Sequence, residues 1–129
     1  MASWVKGIST VTVFVEDLDA TKRWYEDVLG VSLVFGDPQS AVYNLGNIQI
    51  NLLVVSEAPE LIEPAIVGGP DAGARFLFTI TVDDVDARCA ELTRKGVKLL
   101  NGPIDRPWGV RTAAFQDPAG YAWEIAQPK

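Results

Sequence analysis

The segment Val11-Thr-Val-Phe-Val-Glu-Asp-Leu-Asp-Ala20 aligns without gaps on Phe78-Thr-Ile-Thr-Val-Asp-Asp-Val-Asp-Ala87. The two are identical at Thr12/Thr79, Val15/Val82, Asp17/Asp84, Asp19/Asp86 and Ala20/Ala87, and chemically similar at most other positions. Such a duplication restricts the chain to folds built from two copies of one unit. Each copy opens on a period-two pattern: Val11, Val13 and Val15 against Thr10, Thr12 and Phe14, then Phe78, Ile80 and Val82 against Leu77, Thr79 and Thr81. Alternation of this kind marks a half-buried strand, and the all-apolar face is the one expected under a helix. Asp17 or Asp19, and Asp84 or Asp86, can accept hydrogen bonds from the free N–H groups of a helix's first turn. Helices are therefore predicted to about Leu29 and Lys95, with Gly30 and Gly96 as their stops.

Short strands are expected after each helix. Leu45-Gly46-Asn47 and Asp117-Pro118-Ala119-Gly120 are turn sequences, so 40–55 and 110–126 read as two hairpins. Each copy is then a βαβββ module, the first over about 5–55 and the second over about 75–127. The fold class is α+β: two such modules in one chain, forming a cup-shaped mixed sheet with the helices outside. At 129 residues the whole chain is expected to be a single domain. The stretch 56–74, rich in Pro, Gly and Ala, is long for a connection and reads as a linker or flap. It carries Leu61, Ile62, Ile66 and Val67, which are expected to pack on something, a partner subunit included.

Composition removes several function classes. The net charge is −6 and Lys and Arg do not cluster, which argues against nucleic acid as a partner. No apolar run approaches the ~20 residues of a membrane span, and the start lacks the pattern of a secretory leader, so a cytoplasmic location is expected. The single Cys89 cannot form an internal disulfide. It reads as a small buried hydrophobe on a helix, since the chain has no His to activate a thiol.

The strand-acid-acid start of each copy, Trp24-Tyr25-Glu-Asp-Val-Leu-Gly30, and Trp108-Gly109-Val110-Arg111 leading to Asp117-Pro118-Ala119-Gly120-Tyr-Ala-Trp-Glu124 resemble the vicinal oxygen chelate superfamily. That superfamily spans glyoxalase, bleomycin-resistance and extradiol-dioxygenase proteins, and the resemblance covers nearly the whole chain outside 56–74. It implies the fold above and a homodimer; it leaves function open, because members isomerise, cleave, oxygenate or only bind. In catalytic members a divalent metal is held by matching positions of the two halves, typically His and Glu. Those positions fall here on Thr10, Asn51, Leu77 and Glu124, of which only Glu124 is a strong ligand. No metal and no cofactor are therefore expected. An oxygen-only site at Glu124 and Asn51 for a hard cation is the residual alternative.

Candidate ligand-binding residues are Thr10, Thr12, Phe14, Asn51, Leu77, Thr79, Trp108, Arg111 and Glu124. Small hydroxyls, one amide and apolar surface suit a small organic ligand better than a bare phosphate. Glu124 alternates with Ala122 and Ala126, opposite Trp123 and Ile125, and so should face away from the helix. It reads as a ligand anchor or general base, or as a relic paired with a nearby Arg. Trp108 can stack on a planar ligand or anchor its own loop. Arg111 can bind an acidic ligand or pair with Glu124, and Trp24 is expected in the core. Three function classes follow: a metal-free binding protein like the bleomycin-resistance branch, taking an aromatic or drug-like ligand; a glyoxalase-, epimerase- or dioxygenase-like enzyme with Glu124 as base or an unconventional metal; or a non-catalytic interaction module.

Overall fold

Both alternating segments are strands. In the computed structural model, which describes residues 3–129, β1 is Thr10–Val15 and its Val13 and Val15 are buried under a helix. Asp17 starts that helix, α1 (Leu18–Trp24), by accepting the Ala20 N–H at 3.0 Å. The helix then widens into a π turn over Tyr25–Leu29 and ends at Gly30, whose φ of +67° is the left-handed conformation glycine reaches without a Cβ clash.

The π turn corrects one expectation. Tyr25 is fully buried and Trp24 only half-buried, the reverse of a core Trp24. Leu18, Thr21, Tyr25 and Val28 keep the 3–4 spacing of a buried stripe, and Trp24 falls on its flank, edge-on to Tyr25 with ring centroids 5.2 Å apart.

Strands β2 (Ser32–Gly36), β3 (Ser40–Asn44) and β4 (Gln49–Val54) complete the first sheet in the order β1-β4-β3-β2. β1 runs parallel to β4 and the other pairs are antiparallel, so the sheet is mixed. Ala41, Tyr43, Ile50 and Leu52 join Val13 and Val15 beneath α1. Tyr43 stacks on Tyr25 at 5.9 Å and donates its hydroxyl to Glu26 Oε2 at 2.6 Å. Burial, reinforced by the Glu26 carboxylate, pushes the Tyr43 phenol well above its usual range.

Residues 56–74 are not unstructured. They include part of a short 3-10 turn at Val55–Glu57, a helical turn α2 (Pro59–Ile62) and a further 3-10 turn at Pro70–Ala72. Ala58 is buried, but Leu61 and Ile66 are 63% and 89% exposed, so these two apolar side chains stand largely in solvent. The chain divides inside this stretch, between Val67 and Gly68, into two compact units.

The second unit repeats the first. β5 (Leu77–Thr81) leads to α3 (Val85–Arg94), capped by Asp84 through the Ala87 N–H at 3.0 Å. β6 (Asn101–Arg106), β7 (Val110–Gln116) and β8 (Ala122–Pro128) follow, and the sheet order is β5-β8-β7-β6 with β5 parallel to β8. Val85, Cys89 and Leu92 bury the inner stripe of α3 against the sheet face carrying Ala113, Phe115, Trp123 and Ile125. Register shifts between Asn101 and Ile104, where Gly102 comes so close to β7 that a Cβ would meet the Thr112 carbonyl and lie 2.7 Å from Ala113 Cα.

Candidate functional site

The duplication extends to the register. Thr12 stands opposite Asn51 in the first unit, and Thr79 opposite Glu124 in the second, each pair joining the parallel strands on the face that carries no helix. In the first unit Asn51 Nδ2 donates to Thr12 Oγ1 at 3.4 Å, leaving Asn51 Oδ1 buried without a hydrogen bond among the described residues. In the second, the Thr79 hydroxyl donates to Glu124 Oε1 at 3.0 Å. One strand pairing thus displays a neutral amide in one half and a carboxylate in the other.

Around these pairs, period-two alternation sorts the remaining candidates. Thr10 and Phe14 share the helix-free face of the first sheet with Thr12, Gln49, Asn51 and Leu53. Leu77 shares that of the second with Thr79, Ala122, Glu124 and Ala126. Leu77 is 50% exposed and Glu124 half-buried, and Glu124 forms no ion pair among the described residues. Trp108, 70% exposed, sits in the tight turn between β6 and β7.

Arg111 departs from both of its expected roles. It has the parity of Ala113 and Phe115 and therefore lies on the helix-bearing face. There its guanidinium bridges Asp86 of α3 at 3.0 Å and Asp105 of β6 at 3.1 Å, and Lys129 adds a second cation to Asp105 at 3.0 Å. The hydrogen bond from Arg111 holds the Asp86 carboxyl below its usual range, and those from Lys129 and Arg111 do so for Asp105. Beneath this clasp, burial pushes the Cys89 thiol up, with the Asp86 carboxylate adding to the effect, so the thiol stays protonated and poorly nucleophilic.

A cation that does reach the helix-free face, beside the Glu124 carboxylate's sheet neighbours, is Arg106, which sequence reasoning passed over. Its Nε donates to Thr112 Oγ1 at 2.9 Å and one Nη to Asn101 Oδ1 at 3.3 Å, while its carbon Cζ lies 5.9 Å from the Trp108 ring centroid. A groove of about 650 Å³ also exists, beside α3 and lined by Thr81, Asp83, Asp84, Arg88, Glu91 and Arg94. None of the nine candidate residues lines it, and its Arg88–Glu91 pair is a solvated surface bridge of small energetic weight.

Among the described residues, no three His, Cys, Asp or Glu side chains gather as a metal-holding cluster. Leu77 offers no donor atom, and Thr10 and Asn51 offer neutral oxygens that bind divalent transition metals weakly. The residues at the family's ligand positions therefore do not fit the metal that catalytic members use.

Two repeated βαβββ units, each with a parallel outer pair and a helix on one sheet face, define a glyoxalase-type fold. The chain belongs to the glyoxalase/bleomycin resistance protein/dioxygenase superfamily, whose family model matches residues 7–125. An uncharacterised Bacillus subtilis protein, YraH, is 33% identical over 113 residues, covering 84% of this chain and 88% of its own. Among solved structures, a Streptomyces antibiotic binding protein, TnmS3, matches with a TM-score of 0.75 and 25% identity, over 99% of this chain and 100% of that one. A lactoylglutathione lyase from Agrobacterium tumefaciens shares the fold with a TM-score of 0.76 and 24% identity, over 95% and 94%. No helix among the described residues is long and apolar enough to cross a membrane.

Proposed function

We propose that this protein is a metal-free, cytoplasmic binding protein that sequesters a planar, drug-like small molecule on the helix-free sheet face carrying Thr79 and Glu124. The observation that carries the reading is the pair Leu77 and Glu124. The fold keeps one carboxylate at a family ligand position, and the matching strand-start position holds a side chain that cannot coordinate. Such a face presents apolar surface with few, oriented polar groups, which is the composition of a site that holds an organic molecule. Glu124, fixed by Thr79 through one oxygen, has its other oxygen free for a hydrogen-bond donor on the ligand. Likeness to an antibiotic binding protein along the full chain supports the same reading.

The oriented carboxylate also favours a second reading, in which Glu124 is the general base of a small-molecule isomerase. Glu124→Gln separates the two: a base would be lost with its turnover, whereas a ligand anchor changes only affinity. The test of the first reading is thermal unfolding of chelator-treated protein against a panel of planar aromatic antibiotics. Ligand at about 100 times its Kd adds roughly 2.7 kcal/mol, a rise in Tm of several degrees. If no compound in the panel raises Tm, the binding reading is wrong.

The same proposal includes a homodimer. β2 is an edge strand, and Leu33, Val34 and Phe35 in it are 47%, 55% and 55% exposed, an apolar edge that a lone subunit would leave open to aggregation.

A further inference from the structure

From the setting of Arg106 we infer that the ligand carries an anionic group on a planar ring system, held by the Arg106 guanidinium beside Trp108. The inference rests on the ligand-binding reading above and specifies the ligand's head group. Arg106 is half-buried and forms no ion pair among the described residues, unlike Arg88 with Glu91 and Arg111 with Asp86 and Asp105. A partly desolvated cation without a counter-charge is costly unless something completes it. Its neighbours do not neutralise it. Thr112 and Asn101 are neutral acceptors that fix the plane of the fork through two of its five N–H donors.

The geometry is that of a prepared anion site. A guanidinium whose plane is already set loses little freedom when a carboxylate or phenolate docks on its remaining donors, and the charge-assisted bonds are the strong ones. Trp108 packs against the guanidinium at 5.9 Å and is 70% exposed, so ring surface remains for an aromatic ligand to stack on. Glu124 lies on the same face of the same sheet, on β8, two strands or roughly 10 Å across from β6 and roughly 13 Å along the strands from the level of Arg106, whose guanidinium leans in that direction to reach Thr112. It would repel an anion placed beside it and attract a donor, so the ligand is oriented with its acid at Arg106 and a hydroxyl or N–H toward Glu124. In a chain of net charge −6, affinity for an anion depends on a local cation of this kind.

The test is a pair of probes that differ only in charge, 2-naphthoate and 2-naphthamide, titrated into the intact protein while the Trp108 indole N–H is followed by NMR. The expected result is that naphthoate binds at least tenfold more tightly than the amide. Arg106→Gln should bring the two within twofold by weakening naphthoate alone, and Arg106→Lys, which keeps the charge, should retain part of the preference. Equal affinities in the unmodified protein, or a preference that survives Arg106→Gln in a folded variant, would overturn the inference. If the amide binds and naphthoate has no advantage, only the Arg106 assignment fails. If neither probe binds, the ligand-binding reading fails with it.

Discussion

Arg111 and Arg106 lie five residues apart and do opposite things. Arg111 ties α3 to β6 through Asp86 and Asp105, while Arg106 meets only neutral partners on the other face of the sheet. The segment Val110-Arg-Thr-Ala-Ala-Phe hides this difference, because Val110, Thr112 and Ala114 are about as apolar as Ala113, and neither parity stands out. Glu124 was legible for the converse reason: it alternates with two alanines between Trp123 and Ile125, whose bulk marks the buried face. The Arg111 clasp has a pH signature. Asp86 and Asp105 have folded-state pKa values below the unfolded value, so their contribution is present above about pH 4 and is lost as pH falls through the depressed pKa values. Arg111→Gln should therefore flatten the acid limb of stability, measured as urea midpoints from pH 6 to pH 2, with the two proteins converging at the acid end. Parallel curves would mean that the clasp contributes nothing. Both carboxylates are exposed, so the effect is small.

At the scale of elements, the caps and hairpins could be read because each has a local cause. Asp17 and Asp84 supply an acceptor where a helix begins, and Gly30 and Gly120 adopt positive φ where the chain must turn. The π turn of the first helix had no such signal: it begins at Tyr25, which stacks on Tyr43 of β3, a contact far apart in sequence. β6 was equally obscure: Asn101-Gly-Pro lacks strand propensity, and its close approach to β7 is a tertiary fact. β2 has the strand composition but buries none of its residues in a single chain. If a second copy covers it, light scattering will give twice the chain mass at micromolar concentration, and Val34→Lys will return the protein to a monomer. A monomeric unmodified protein, or a dimer indifferent to that charge, would remove β2 from the interface.

For the molecule as a whole, the fold was readable from the repeat because duplicated strands, caps and turns must reappear in the same order. The structure carries the duplication down to the pairing of Thr12 with Asn51 and Thr79 with Glu124. Function was not readable to the same depth. It depends on which side chain occupies each equivalent place, and on groups such as Arg106 that only folding brings onto the Glu124 face. The central claim is that this family scaffold holds an organic ligand with no metal. Its most direct test is a thermal-unfolding series of chelator-treated protein with Mg, Mn, Ni, Zn or Co, run on the unmodified chain and on Glu124→Gln. The account predicts that no metal raises Tm in either protein. A metal-specific rise in the unmodified protein that disappears in Glu124→Gln would contradict it and make Glu124 a ligand of a catalytic ion.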